Sequence, residues 1–173
     1  MMTPERIFVI AGAVVAVLLQ ILVAPYIAIS FAIPNFIIAF TMVIAILRPY
    51  SFGCVMPFIL GLTYDLIGGG PVGGMAFSLT LFSYLLARYF ANLGNDSVII
   101  SLAFVALGIL LVELSYAVFL LLFGYNANMF DALAYRMVPC FLYDLVIALL
   151  LFPIAKRFVQ PTGVTRTDIT RLR

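Results

Sequence analysis

Apolar residues in this chain are gathered into six long runs, separated by short clusters of Gly, Pro, Asn, Asp and Arg. The runs cover 7–24, 29–47, 52–67, 75–90, 98–123 and 138–158. A helix needs about 20 mostly apolar residues to cross a bilayer, so each run predicts a membrane-spanning helix. The first is entered through Thr3, Pro4 and Glu5, which suit a cap, the first helical position and the positive helix end. Pro34 lies near the start of the second. Arg48, Pro49, Tyr50 and Ser51 break it from the third, and a glycine cluster from Gly68 to Gly74 parts the third from the fourth. The third and fourth runs would be only about 24 Å long at 1.5 Å per residue, short for a core of about 30 Å. One alternative makes them a single re-entrant hairpin and leaves four full spans.

Charge decides between the two arrangements. With six alternate crossings, Arg6, Arg48, Arg88, Lys156, Arg157, Arg166, Arg171 and Arg173 fall on one side and Arg136 on the other. Lys and Arg are retained on the cytoplasmic side, so both termini are expected there, with 159–173 as a basic cytoplasmic tail. A re-entrant hairpin would turn the last two spans against this bias. The first run also has a signal-peptide look, but five further apolar runs favour an uncleaved span.

Composition then excludes the alternatives to a membrane fold. Hydrophobic residues make up 66% of the 173 residues and charged residues 9%, with a mean hydropathy of +1.25. Soluble domains carry roughly 45–50% apolar and about 25% charged residues. Six spans would use about 120 residues, which leaves no room for a nucleotide-binding domain. The expected fold is all-α: one membrane domain of six transmembrane helices over 1–158.

Most candidate chemistry fails on context. Histidine is absent, and two cysteines without it do not make a zinc site. Cys54 and Cys140 read as buried structural thiols, expected near opposite faces and too far apart to pair. Gly68, Gly70 and Gly73 fit the letters G-x-G-x-x-G, yet an apolar helix-length run precedes them and Pro71 lies inside. A dinucleotide site needs a strand there. The glycines instead predict a tight turn outside the cytoplasm. No cofactor, metal or nucleic acid is expected.

The intramembrane acids Asp65, Glu113 and Asp144 say more, because ionisable groups in a span usually face the protein interior, a cavity or a partner. Asp65 falls near the outer surface, where it can accept bonds from the backbone N–H groups of Ile67 to Gly70. Asp144 falls about 9 Å deep and Glu113 about 15 Å deep. No cation shares the level of Glu113; as a neutral acid it could donate a hydrogen bond, helped by Ser115 or Tyr116. Its two readings are a proton- or solute-coupling group and a helix-bridging or partner-contacting acid. Gly12 and Ala16, four apart on the first span, mark a close helix contact, either within the bundle or with a partner.

The order Pro34, Asn35, Arg48, Gly53, Gly61, Leu62, Asp65, the glycines Gly70 and Gly73, and Tyr84 resembles the MreD family of bacterial rod shape-determining membrane proteins. The segment from Tyr143 to Phe158, with Pro153 before a basic end, is similar to that family's last span. Where that span often carries an amide, this chain has Asp144. The resemblance implies a non-enzymatic scaffold of cell-wall elongation in the plasma membrane. Its implied partners are a bitopic MreC-type protein, an MreB-type cytoskeleton and the glycosyltransferase–transpeptidase pair, and a homodimer is left open. It also implies a bundle like the substrate-capturing S-components of ECF vitamin transporters. That likeness supplies the second reading, a transporter subunit using Tyr64, Asp65, Asn128, Arg136 and Asp144 in an outer pocket.

Overall fold

A computed structural model of the protein describes residues 4–28, 33–49, 53–93, 97–123 and 137–159. Among these residues six helices occur and no strand: α1 (Pro4–Leu22), α2 (Phe36–Leu47), α3 (Val55–Gly68), α4 (Gly74–Leu93), α5 (Val98–Leu122) and α6 (Val138–Val159). The basic tail, Asn128 and Arg136 lie outside the described residues.

The core is built around α2. Every residue from Ile37 to Leu47 is buried, because α1, α4, α5 and α6 all pack against it. A helix enclosed on all sides must be apolar on all sides. Its one hydroxyl, Thr41, donates back to the Ile37 carbonyl at 2.7 Å and needs no outside partner. The helix begins at Phe36, not at residue 29 as the apolar run predicts. Pro34 pushes the preceding residue out of the helical region. Asn35 then acts as N-cap, its side chain accepting from the Ile38 N–H at 3.1 Å. At 12 residues the helix is about 18 Å long.

Two close approaches fix the neighbours. At Gly61 in α3, an added Cβ would lie 2.5 Å from the Ala76 Cα and 2.8 Å from its N. Backbone meets backbone there, so the α3–α4 pair depends on the missing side chain. Gly73, in the turn between them, has a different part. It has open space where a Cβ would be, and its constraint is a φ of +101°.

At Gly12 in α1, an added Cβ would meet the Phe40 ring at 2.6 Å, and Ala16 is buried one turn on. Gly12 thus faces the bundle itself. Overpacking a filled site costs roughly 1–3 kcal/mol. Replacing both residues by Leu should therefore lower the midpoint of thermal unfolding in detergent. A double variant with an unchanged midpoint that loses a partner would move the contact to the outer surface.

The outer surface is apolar. Helices α5 and α6 are long and apolar enough to cross a membrane, yet only 28% of each hydrophobic stretch is buried within the fold. In water so much contiguous apolar surface marks a liability or a binding face; lipid removes the difficulty. Cys140 is buried and Cys54 is exposed, and neither is in a disulfide. The expectation of two buried thiols fails at Cys54 because it stands at the entry of α3, before the helix packs.

Candidate functional site

The buried side chains of Gln20, Asn35, Asp65 and Asp144 lie toward one end of the bundle. Within the hydrocarbon core of a bilayer no water reaches a helix terminus, so its free N–H and C=O groups must find protein partners there. Helix α2, too short to reach across, begins with such groups inside the protein. Gln20 of α1, 7% exposed, serves two of them: its Nε2 donates to the Pro34 carbonyl at 3.2 Å and its Oε1 accepts from the Phe36 N–H at 2.9 Å. Asp144 of α6 accepts the Asn35 N–H on Oδ1 at 2.6 Å. Tyr143 beside it donates to the Ile27 carbonyl at 2.8 Å. Three side chains (Gln20, Tyr143 and Asp144) thus tie the end of α1 and the start of α2 to α6, while the Asn35 side chain caps α2 itself.

Asp144 is fully buried, and its second oxygen, Oδ2, has no well-aligned hydrogen-bond partner. The carboxyl of Glu113 on α5 reaches the same place, near enough to interact with it electrostatically and as a hydrogen-bonding side chain. The two carboxyls are thus adjacent but poorly aligned for a hydrogen bond at Oδ2. Glu113 is half-buried. Sequence reasoning gave it Ser115 or Tyr116 as helpers. Ser115 is engaged elsewhere, 2.9 Å from the Ser78 hydroxyl, and Tyr116 packs edge-on against Tyr64.

The second polar node is Asp65, also fully buried. Its Oδ2 accepts from the N–H groups of Gly73 at 2.8 Å and Ala76 at 3.2 Å, and its Oδ1 from Met75 at 3.1 Å. The donors expected at Ile67–Gly70 are replaced by N–H groups at the start of α4. The turn carries the chain past those nearer groups: Gly69 at φ +64° ends α3 and Gly73 at φ +101° turns into α4. A carboxylate at a helix N-terminus meets both free N–H groups and the positive end of the helix dipole. Gly70 of this turn lies against the Tyr116 hydroxyl, which joins the turn to α5.

Basic side chains stand at the opposite end. Arg6 opens α1 and Arg48 closes α2, and both line one cleft. Phe8 stacks on Phe158 at 4.9 Å, which brings the last turn of α6, with Lys156 and Arg157, beside the start of α1. Arg88 is exposed near the end of α4. Of the residues required for an outer ligand pocket, Asp65 and Asp144 are turned onto backbone N–H groups and Tyr64 onto Tyr116. Gln20 escaped sequence reasoning altogether. The signal was there: a lone amide inside an apolar span is uncommon and calls for a partner.

Residues 5–162 match the family model described as rod shape-determining protein MreD. The chain matches no curated protein and no solved structure.

Proposed function

The chain belongs to the MreD family of rod shape-determining proteins, and from that premise we propose that it is a non-enzymatic membrane scaffold of the cell-wall elongation machinery. The observation that carries the reading is the extent of the family match, which runs through all six helices. Supporting it, Gln20, Asn35 and Asp65 spend their polar atoms on the chain's own backbone. Side chains so used hold helices in place. The proposed partners are a bitopic MreC-type protein and, through it, an MreB-type cytoskeleton and the enzymes that insert peptidoglycan. Co-purification of the full chain with its single-span partner, together with rescue of rod shape in a depletion strain, tests this. Recovery of a stoichiometric small ligand and no partner would favour a transporter subunit instead.

Within this reading the chain crosses the plasma membrane six times in an S-component-like bundle, and both termini are cytoplasmic. The separation of buried acids at one end from Arg6, Arg48, Lys156 and Arg157 at the other supports it. Cysteines introduced at Gly94 and Thr165 should resist an impermeant thiol reagent in intact cells, and one at Asn126 should label. Strong labelling at Gly94 from outside would overturn the six-span topology.

A further inference from the structure

A cleft of about 310 Å³ lies where the start of α1, the end of α2 and the start of α3 converge. Its two charged lining groups are Arg6, near the start of α1, and Arg48, at the C-cap of α2. The rest of the lining is apolar apart from Gly53, and two of those residues, Ile10 and Val55, are 50% and 71% exposed. The cleft therefore has a cationic end and an apolar side that opens onto the outer surface. Among the described residues, nothing lies within 4 Å of a Cβ added at Gly53.

We propose that this cleft binds an anionic phospholipid, with the headgroup phosphate between Arg6 and Arg48 and the acyl chains running along Ile10 and Val55. The inference rests on the reading that α1–α3 lie in the bilayer. A planar guanidinium presents paired N–H donors that match phosphate oxygens. Two of them on one small cleft recognise charge and shape together, which a single interfacial cation does not. A soluble phosphate would leave the apolar wall unused. The lipid commits both halves of the cleft: its charge to the arginines, its chains to the surface that Ile10 and Val55 continue outward. Arg88 and Arg157, outside the cleft, give only the general attraction of basic residues to an anionic leaflet.

The test uses the full chain, purified in detergent and reconstituted in nanodiscs of phosphatidylcholine alone or with phosphatidylglycerol. The thermal midpoint is read in each, together with lipid retained in native mass spectrometry. Phosphatidylglycerol should raise the midpoint of the unaltered protein above that in phosphatidylcholine. Arg6→Gln with Arg48→Gln should remove that difference and reduce retained phosphatidylglycerol about tenfold. Gly53→Trp, which keeps both charges and obstructs the cleft, should do the same, whereas Arg157→Gln should keep the preference. Inorganic phosphate should not substitute for the lipid. An equal preference in the double Gln and Gly53→Trp variants, or equal stabilisation by inorganic phosphate, would overturn the proposal while leaving the membrane fold intact. Recovery of the chain from cells without detergent would instead remove the bilayer reading on which it rests.

Discussion

Asp65→Leu should be among the most damaging single substitutions in this protein, and Asp65→Asn should fall well short of it. Leucine leaves the N–H groups of Gly73, Met75 and Ala76 without the acceptors they now have. Each orphaned buried donor costs roughly 1–3 kcal/mol, so the total should reach about 4 kcal/mol or more, in the range that marks loss of a buried network. Asparagine can keep its carbonyl oxygen where Oδ2 stands, serving Gly73 and Ala76, but its amide would then face the Met75 N–H, donor against donor. One broken contact implies a cost of about 1–3 kcal/mol. Thermal unfolding in detergent should rank the proteins as unaltered, Asn, Leu. Shape rescue in a depletion strain should follow that order. An Asn variant as stable as the unaltered protein that fails to rescue would make Asp65 a binding residue.

Asp65 also marks how far one chain can be read alone. An aspartate beside a glycine turn announces that it will accept backbone N–H groups, and that inference needs only local chemistry. Which N–H groups it reaches depends on where the turn delivers α4. The positive φ at Gly69 and Gly73 settles that, and no residue type encodes both angles. The same division holds for the glycines. Their cluster signals a turn, but Gly61, inside α3 and outside the cluster, is the one that lets two backbones touch.

The apolar runs located helices well and their packing poorly. Nothing in the uniform hydrophobicity of α2 distinguishes a helix enclosed by protein from one facing lipid, because lipid and core select the same side chains. Polar residues carry the missing information. Gln20, Asn35 and Asp144 come from three different elements and meet at the start of α2. Each alone reads as an isolated oddity in an apolar stretch. Together they answer a single requirement, that a helix starting inside the fold have its terminus satisfied. The depth count set Asp144 and Glu113 about 6 Å apart along the bundle axis, a gap that two carboxyl side chains on neighbouring helices can close. Nearness along the axis was legible; azimuth was not.

Asp144 yields the second large effect, and there Asn should be tolerated better than at Asp65. Asp144→Leu should destabilise by about 2–3 kcal/mol, since it strips the Asn35 N–H of its 2.6 Å acceptor in a fully buried position. Asp144→Asn should be nearly neutral, within about 1 kcal/mol. An amide keeps one oxygen for the Asn35 N–H. Its N–H₂ then replaces Oδ2, which has no well-aligned partner to lose, and points a donor toward the adjacent Glu113 carboxyl. Only one of the two Asp144 oxygens is committed, whereas both oxygens of Asp65 are. That difference separates two aspartates with the same burial. The Glu113 contact is tested by a double-mutant cycle combining Glu113→Gln with Asp144→Asn, scored by thermal unfolding. Adjacent side chains should give a coupling of about 0.5 kcal/mol or more. Strict additivity would show that the carboxyls do not communicate. Full rescue of rod shape by Asp144→Asn would confine Asp144 to holding α6 against the start of α2. A stable Asn variant that fails to rescue would instead require the carboxylate itself for function.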